Sequence, residues 1–435
     1  MNSKTTSPAS KSPKSQNLIP ERRFPEFQRA GTWEEKPLSR FLSPVVRERL
    51  KSSEPYKGLG LRSHGKGTFL KENEDPAKNA MDVLFEVKRD DLIVNITFAW
   101  EGAIAIAGRA DDGALVSHRF PTFTFVKGQA LPEFFRYRIL EKQFVYSLGV
   151  ISPGGAGRNR VMSKTDFLKL KVLLPNTDEQ KKIADCLASA DALIEVQGRK
   201  VEALRAHKKG LMQQLFPQEG ETQPRLRFPE FEGTGGWEFV NLGKLLKASP
   251  DYGVSEAAVP YDADLPKYLR ITDISEDGRY LEENKVSVDI TPNAGDYLDE
   301  GDIAIARTGA SVGKSYRYRR DDGKLVFAGF LIRLRPNQRK LVTAYLTQYL
   351  TTSQYWDWIS VNSARSGQPG INSSELGSLP VPLPLDDRLL REQCRIADCL
   401  TSLDNLIAVE TRKLDTLKTH KKGLMQQLFP QVGEE

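Results

Sequence analysis

This sequence is poor in the side chains that most often carry chemistry. Three cysteines and four histidines serve 435 residues. Cys186, Cys394 and Cys399 cannot all pair, and none sits in a spacing that forms a metal-ligand cluster with a histidine. That usage excludes a disulfide scaffold and a zinc module, and it predicts a reducing cytoplasm. No stretch approaches the roughly 18 consecutive apolar residues of a membrane-spanning helix, which excludes a membrane partner of that kind. The opening MNSKTTSPASKSPKSQ has no apolar centre, so it predicts a disordered tail over 1–20 rather than a secretory signal. A large excess of one charge is also missing. Lys and Arg number 63 against 57 Asp and Glu, a net charge of +6, which allows a nucleic-acid partner without requiring one. What remains is a globular composition, 39% hydrophobic and 9% aromatic, long enough for two to four domains.

The dominant positive feature is repetition. HKKGLMQQLFPQ occupies 207–218 and again 420–431, and IADCLASADALI at 183–194 returns as IADCLTSLDNLI at 396–407. Both pairs share an offset of 213 residues. A second pair, FPEFQRAGTWE at 24–34 and FPEFEGTGGWE at 228–238, is offset by 204. The order is short motif, variable block, long motif, and then the same three again.

The long motif has the spacing of a helix with an apolar seam every 3.5 residues. One copy places Ile183, Leu187, Ile194, Val201, Leu204 and Leu211 on the seam, and the other places Ile396, Leu400, Leu403, Ile407, Leu414 and Leu417. Gln197 and Glu410, then Lys208 and Lys421, interrupt it at matching levels. Asp178 and Asp387 mark the starts, and Phe-Pro at 216–217 and 429–430 marks the stops. About 37 residues at roughly 1.5 Å each give a rod of about 55 Å. Two such rods bury both seams most simply against each other.

The variable blocks, roughly 38–170 and 242–379, share a skeleton beneath their divergence. DDLIVNITFAWEGAIAIA (90–107) and GDIAIARTGASVGKSYRY (301–318) each read as strand, small turn, strand. A DDG hairpin signal follows in both, then a further strand, a helix at 131–148 or 341–359, and a Gly-rich loop. The fold class expected is α/β, of the α+β kind. Two domains with mostly antiparallel curved sheets are separated by two long helices forming an antiparallel coiled coil, with an internal two-fold repeat.

Three segments resemble catalytic motifs and fall short. Gly309 to Ser315 has three residues between its glycines where a phosphate loop needs four, and a strand follows it instead of a helix. Residues 153–157 are Gly-rich but lack the strand and acidic residue of a dinucleotide site. Asp82 with Glu86 and Lys88 has the acidic-x-Lys ending of a metal nuclease, a pattern that strand alternation explains equally well. No Asn-Pro-Pro-Tyr-like adenine pocket, S-adenosylmethionine loop or Ser/His/Asp set can be assembled, so no catalytic and no metal-binding residue is assigned. Basic and amide side chains instead gather on predicted turns. Lys66, Arg109, Arg119, Arg158, Asn159 and Arg160 do so in the first block. Arg307, Ser311, Lys314, Arg317, Arg365 and Gln368 do so in the second. Such sets suit phosphate positioning and base-edge reading in double-stranded DNA.

On the half-repeat layout, the FPEF…GWE motif, the GDIAIARTGASVGK segment at 301–314 and the doubled EQ…IADCL…HKKGLMQQLFPQ helices, the sequence resembles the specificity subunit of type I restriction–modification systems. The resemblance implies target recognition domains at 21–174 and 220–382, each reading half of a bipartite DNA site. It implies conserved helices at 175–219 and 383–435 that set the unread spacer and dock two modification (methyltransferase) subunits, which restriction subunits then join. It implies no cofactor on this chain, S-adenosylmethionine acting on the modification subunits and ATP with Mg on the restriction subunits. The first block departs from the pattern, with ITFAWEGAIAIAG where the second has ARTGASVGKSYRY. Two other readings stay open at this point: a stand-alone DNA nuclease using Glu86 and Lys88, and a coiled-coil scaffold without DNA contact.

Overall fold

The structure is a computed structural model describing residues 19–51, 53–154, 160–218, 220–365, 367–385 and 389–430. It resolves into two compact units, one formed by residues 1–196 with 414–435 and the other by 197–413. The architecture is a mixture of helices and small open sheets.

In the first unit a four-stranded sheet runs in the order Leu42–Val45, Thr122–Phe125, Leu92–Val94, Ile104–Ile106, with every pairing antiparallel. In the second unit Asp251–Tyr252, Leu331–Leu334, Ile303–Ala306 and Ser315–Arg317 repeat that order. Leu92–Val94 and Ile303–Ala306, central in their sheets, are apolar and buried at every position because both faces are covered. Alternation then sorts the side chains into two cores. Ile303 and Ile305 face one cluster with Tyr345 and Leu346, while Ala304 and Ala306 face another with Tyr316 and Phe327. Leu92 and Val94 are divided from Ile93 in the same way.

A single curved sheet per block is expected from the sequence, and the structure corrects this. Each unit carries a second sheet besides the first, five-stranded in the first unit and four-stranded in the second, together with a two-stranded ribbon. The second sheets contain the parallel pairings, Tyr56–Leu61 with Leu115–Val116 and Lys267–Leu269 with Leu325–Phe327. The single helix expected at each of 131–148 and 341–359 is also two, Pro132–Arg138 with Lys142–Val150 and Thr343–Tyr349 with Ser353–Asn362. In the second pair the break is set by Thr352, whose hydroxyl accepts the Tyr355 N–H and starts a new helix.

The long motifs form helices Thr177–Leu215 and Leu389–Leu428, of 39 and 40 residues. Asn176 caps the first by accepting the Glu179 N–H at 2.9 Å; Asp387 lies outside the described residues. Both helices stop at Phe-Pro, and the phenylalanine becomes a core anchor. Phe429 packs against Trp33 and Phe134 in the first unit, and Phe216 against Tyr345 and Tyr349 in the second. Of the twelve seam residues, Ile183, Leu187, Val201, Ile396 and Leu400 are buried and the others half-buried.

The polar residues of the repeat fasten the start of each helix to the unit in which that start lies. Gln180 accepts the Leu131 N–H (2.9 Å) and donates to the Pro175 carbonyl (2.9 Å). Its repeat counterpart Gln393 accepts the Val342 N–H (2.8 Å) and donates to the Lys340 carbonyl (3.0 Å). Arg23 forks onto Glu179, and Arg227 onto Glu392. Within the second unit Gln197 donates to Glu410 at 2.7 Å and Lys208 to Asp404 at 2.6 Å, so residue numbers rise along one helix as they fall along the other. Within the first unit Lys421, the counterpart of Lys208, donates to Asp191 at 2.5 Å.

Candidate nucleic-acid interface

In the second unit, strands Ile303–Ala306 and Ser315–Arg317 leave residues 307–314 as a turn. Gly313 sits in the left-handed region (φ +87°), and a Cβ there would come within 2.9 Å of Ile359, so both conformation and space require glycine. A second segment straps the turn down. The Gly309 N–H donates to the Pro369 carbonyl and the Ile371 N–H to the Arg307 carbonyl, each at 2.9 Å. This strap lays the Gln368 amide over Gly309, on the turn that carries Arg307 and Ser311. The Arg307 guanidinium stacks over Tyr252 at 4.7 Å, and the Tyr252 hydroxyl accepts the Ser373 N–H at 2.9 Å.

Other expected residues are placed differently. Arg365 lies on the strap but binds Glu375 (2.6 Å) and the Asn362 carbonyl (3.1 Å). Lys314 folds back onto Glu276 at 2.6 Å and the Ile274 carbonyl. Arg317 pairs opposite Ile303, at the far end of the hairpin from the turn.

In the first unit the corresponding turn is 95–103, between Leu92–Val94 and Ile104–Ile106, and Gly102 takes the left-handed position (φ +74°). The turn at 62–67 is stitched to it. The His64 N–H donates to the Glu101 carbonyl (2.6 Å), Gly65 N–H to the Gly102 carbonyl (3.0 Å), and the Ser63 hydroxyl to the Glu101 carboxylate (2.7 Å). Lys66 is thereby carried beside the 95–103 turn. Arg160 stacks over Trp100 at 5.3 Å, and exposed Arg119 accepts the Ile96 N–H through its carbonyl. Arg109 lies beyond the opposite end of strand Ile104–Ile106. Arg158 and Asn159 lie outside the described residues. Each turn thus presents guanidinium, amide or hydroxyl donors beside exposed backbone, the chemistry that meets phosphates and base edges.

Charge-only reading of the sequence misses the aromatic partners Trp100 and Tyr252. Their signal was available in part, since Trp100 stands in the ITFAWEG turn itself. Glu86, the residue of the nuclease reading, is nearly buried and ion-paired with both Lys88 and Arg49. Those two cations, Lys88 first, hold its carboxyl below the usual range. Among the described residues no set of three or more His, Cys, Asp or Glu is placed to hold a metal ion. No helix among them is long and apolar enough to cross a membrane.

Residues 235–419, which include the second turn and its strap, match the family described as Type I restriction modification DNA specificity domain. The similarity to these specificity proteins extends beyond that segment. It is 25% identical over 289 residues to the type I restriction enzyme MjaVIII specificity subunit of Methanocaldococcus jannaschii, covering 62% of this chain and 63% of that protein. The chain therefore spans less than two thirds of that relative's length. The crystal structure of a type I restriction-modification system S subunit from M. genitalium superposes with a TM-score of 0.60 at 15% identity, covering 96% of this chain and all of the other. A structure reported for complex assembly and conformational transition of the type I R-M system gives 0.52 at 18% identity, covering 91% and 97%. At those identities the likeness is one of fold.

Proposed function

We propose that this chain is the DNA-specificity subunit of a type I restriction–modification complex, with each recognition block reading one half of a bipartite target. The observation that carries the reading is the pair of strapped turns. Two blocks of divergent sequence build the same hairpin turn at the same place in the same sheet order, and each surrounds it with arginine, amide or hydroxyl donors. A shared frame with different side chains at its exposed turn suits two domains that read different bases.

The two long helices form an antiparallel coiled coil that carries the internal two-fold repeat and sets the unread spacer. Leu193 and Val196 on the first helix, and their counterparts Leu406 and Val409 on the second, are large apolar side chains left exposed. Each pair offers a seat for one modification subunit, and restriction subunits join that core. The chain itself is non-catalytic and acts in the cytoplasm. S-adenosylmethionine is used by the modification subunits, ATP and Mg by the restriction subunits.

The test is binding of the full chain, assembled with its modification subunits, to duplexes carrying or lacking the motif methylated in its host. Specific duplex should bind at least about 10³-fold tighter than scrambled duplex at physiological salt, with affinity falling steeply as salt rises. Equal, salt-insensitive affinity for both duplexes would leave a scaffold without DNA contact as the better reading.

A further inference from the structure

The two units carry the same backbone linkage beside their turns, with the side chains exchanged. In the second unit the Arg307 N–H donates to the Phe330 carbonyl at 3.0 Å, and the Arg307 carbonyl accepts the Ile371 N–H at 2.9 Å. In the first unit the Ile96 N–H donates to the Arg119 carbonyl at 3.0 Å, and the Ile96 carbonyl accepts the Met162 N–H at 2.8 Å. Each linkage therefore joins one arginine and one large apolar residue. The arginine follows the central strand in the second unit and precedes the neighbouring strand in the first.

Phe330 and Arg119 are exposed, whereas Arg307 and Ile96 are half-buried, Ile96 resting in part against the first unit's core. Phe330 is 61% exposed, although a phenylalanine is stabilised by burial and the strand it precedes, Leu331–Leu334, is buried throughout. Arg119 is exposed on the same side of its linkage. Arg307 is held rather than mobile. Its guanidinium stacks on Tyr252, and among the described residues its one acceptor is the Gly329 carbonyl, a long contact at 3.4 Å. The buried Nε has no acceptor among the described residues. A guanidinium held on Tyr252, in a residue whose backbone is bonded to that of exposed Phe330, is matched to a surface offering paired acceptors beside an apolar group. The major-groove edge of DNA has that pattern, with guanine O6 and N7 as acceptors and the thymine methyl as the apolar group.

Resting on the reading of the blocks as DNA-recognition domains, we propose that Arg307 with Phe330, and Arg119 with Ile96, are base-reading pairs. In each pair the arginine donates to a guanine edge and the apolar side chain contacts a thymine methyl on a neighbouring base pair, with the two contacts exchanged between the half-sites. The linkage fixes the two side chains on adjacent strands, so each pair reads neighbouring positions of one half-site only.

The experiment places Phe330→Ala, Arg307→Lys, Arg119→Ala and Ile96→Ala separately in the chromosomal copy and maps N6-methyladenine at single-base resolution. Phe330→Ala should relax one thymine position of one half-site by roughly tenfold or more, and Arg307→Lys a guanine position beside it. Arg119→Ala and Ile96→Ala should act on the other half-site. Phe330→Leu, which keeps an apolar contact, should retain more of the thymine preference than alanine does. The proposal is overturned if Phe330→Ala leaves every position strict, or lowers methylation at all sites equally without relaxing a base. A strain deleted for the chain separates the two levels. Methylation that persists there refutes the recognition reading itself, whereas methylation lost there but strict in Phe330→Ala refutes only the pairs.

Discussion

The fork between Arg23 and Glu179 is the perturbation with the clearest magnitude. Nε and a terminal nitrogen of Arg23 donate to the two carboxylate oxygens at 2.7 and 2.6 Å, and the remaining terminal nitrogen donates to the Ala30 carbonyl at 2.8 Å. The side chains are 7% and 1% exposed. Glu179→Ala leaves a buried guanidinium facing an apolar methyl, with only a carbonyl in place of its counter-charge. Breaking one side of such a pair costs about 3–5 kcal/mol. For a unit of about 200 residues, each kcal/mol lowers the melting temperature by roughly 2–4 °C, so a drop of about 6–20 °C follows. The matched control is Lys181→Ala on the same turn, whose ion pair with Asp185 is exposed on both sides and contributes under about 1 kcal/mol. Thermal unfolding of the full chain followed by circular dichroism makes the comparison. A Glu179→Ala shift no larger than that of Lys181→Ala would refute the assignment of this fork as the bolt between the FPEF motif and the helix.

Four further outcomes follow from the same geometry. Phe429→Ala, which empties a site between Trp33 and Phe134, should destabilise by about 3–5 kcal/mol in denaturant unfolding, and a loss under about 1 kcal/mol would contradict its role as an anchor. Glu410, bonded to Gln197, Lys200 and Lys413, has its carboxyl held down to about 2 from an ordinary 4.5. Its stabilisation is therefore complete above pH 4.5 and lost as the pH falls toward 2; the melting-temperature gap between wild type and Glu410→Gln should shrink over that window and not grow. Inserting one heptad at equivalent points of both long helices adds about 10 Å and should lengthen the unread spacer, as mapped by methylation, without altering either half-site. Leu193→Asp with Leu406→Asp should reduce co-purification of the modification subunits while leaving the chain's own melting temperature within about 2 °C, since exposed sites contribute little to folding.

The helices were legible because their signals are local and redundant. A 3.5-residue apolar period and a Phe-Pro stop agree, and the duplicate copy repeats the message; the first start falls at Asn176, two residues before the expected Asp178. The hairpin at 301–318 was legible for a similar reason, with alternating residues on both sides of a glycine turn. The second sheets were not, because strands such as Leu115–Val116 and Lys267–Leu269 are too short for a period to show. The glutamine bolts escaped as well. Gln180 and Gln393 look like ordinary surface residues of a helix until a distant loop brings the Leu131 and Val342 N–H groups to them. At the candidate interface, charge counting puts forward Arg307 and Arg160, with Gln368 added for its amide. It could not show that Lys314 is engaged by Glu276, nor that Tyr252 lies under Arg307, since those contacts join segments 38 and 55 residues apart.

The central claim is that this chain chooses the sequence on which partner subunits act. Adenine methylation mapped across the host genome, in the presence of the chain and after its deletion, tests that most directly. The account predicts one split motif carrying N6-methyladenine that disappears on deletion and returns when the chain is restored. An unsplit motif, or a split one that survives the deletion, would contradict it.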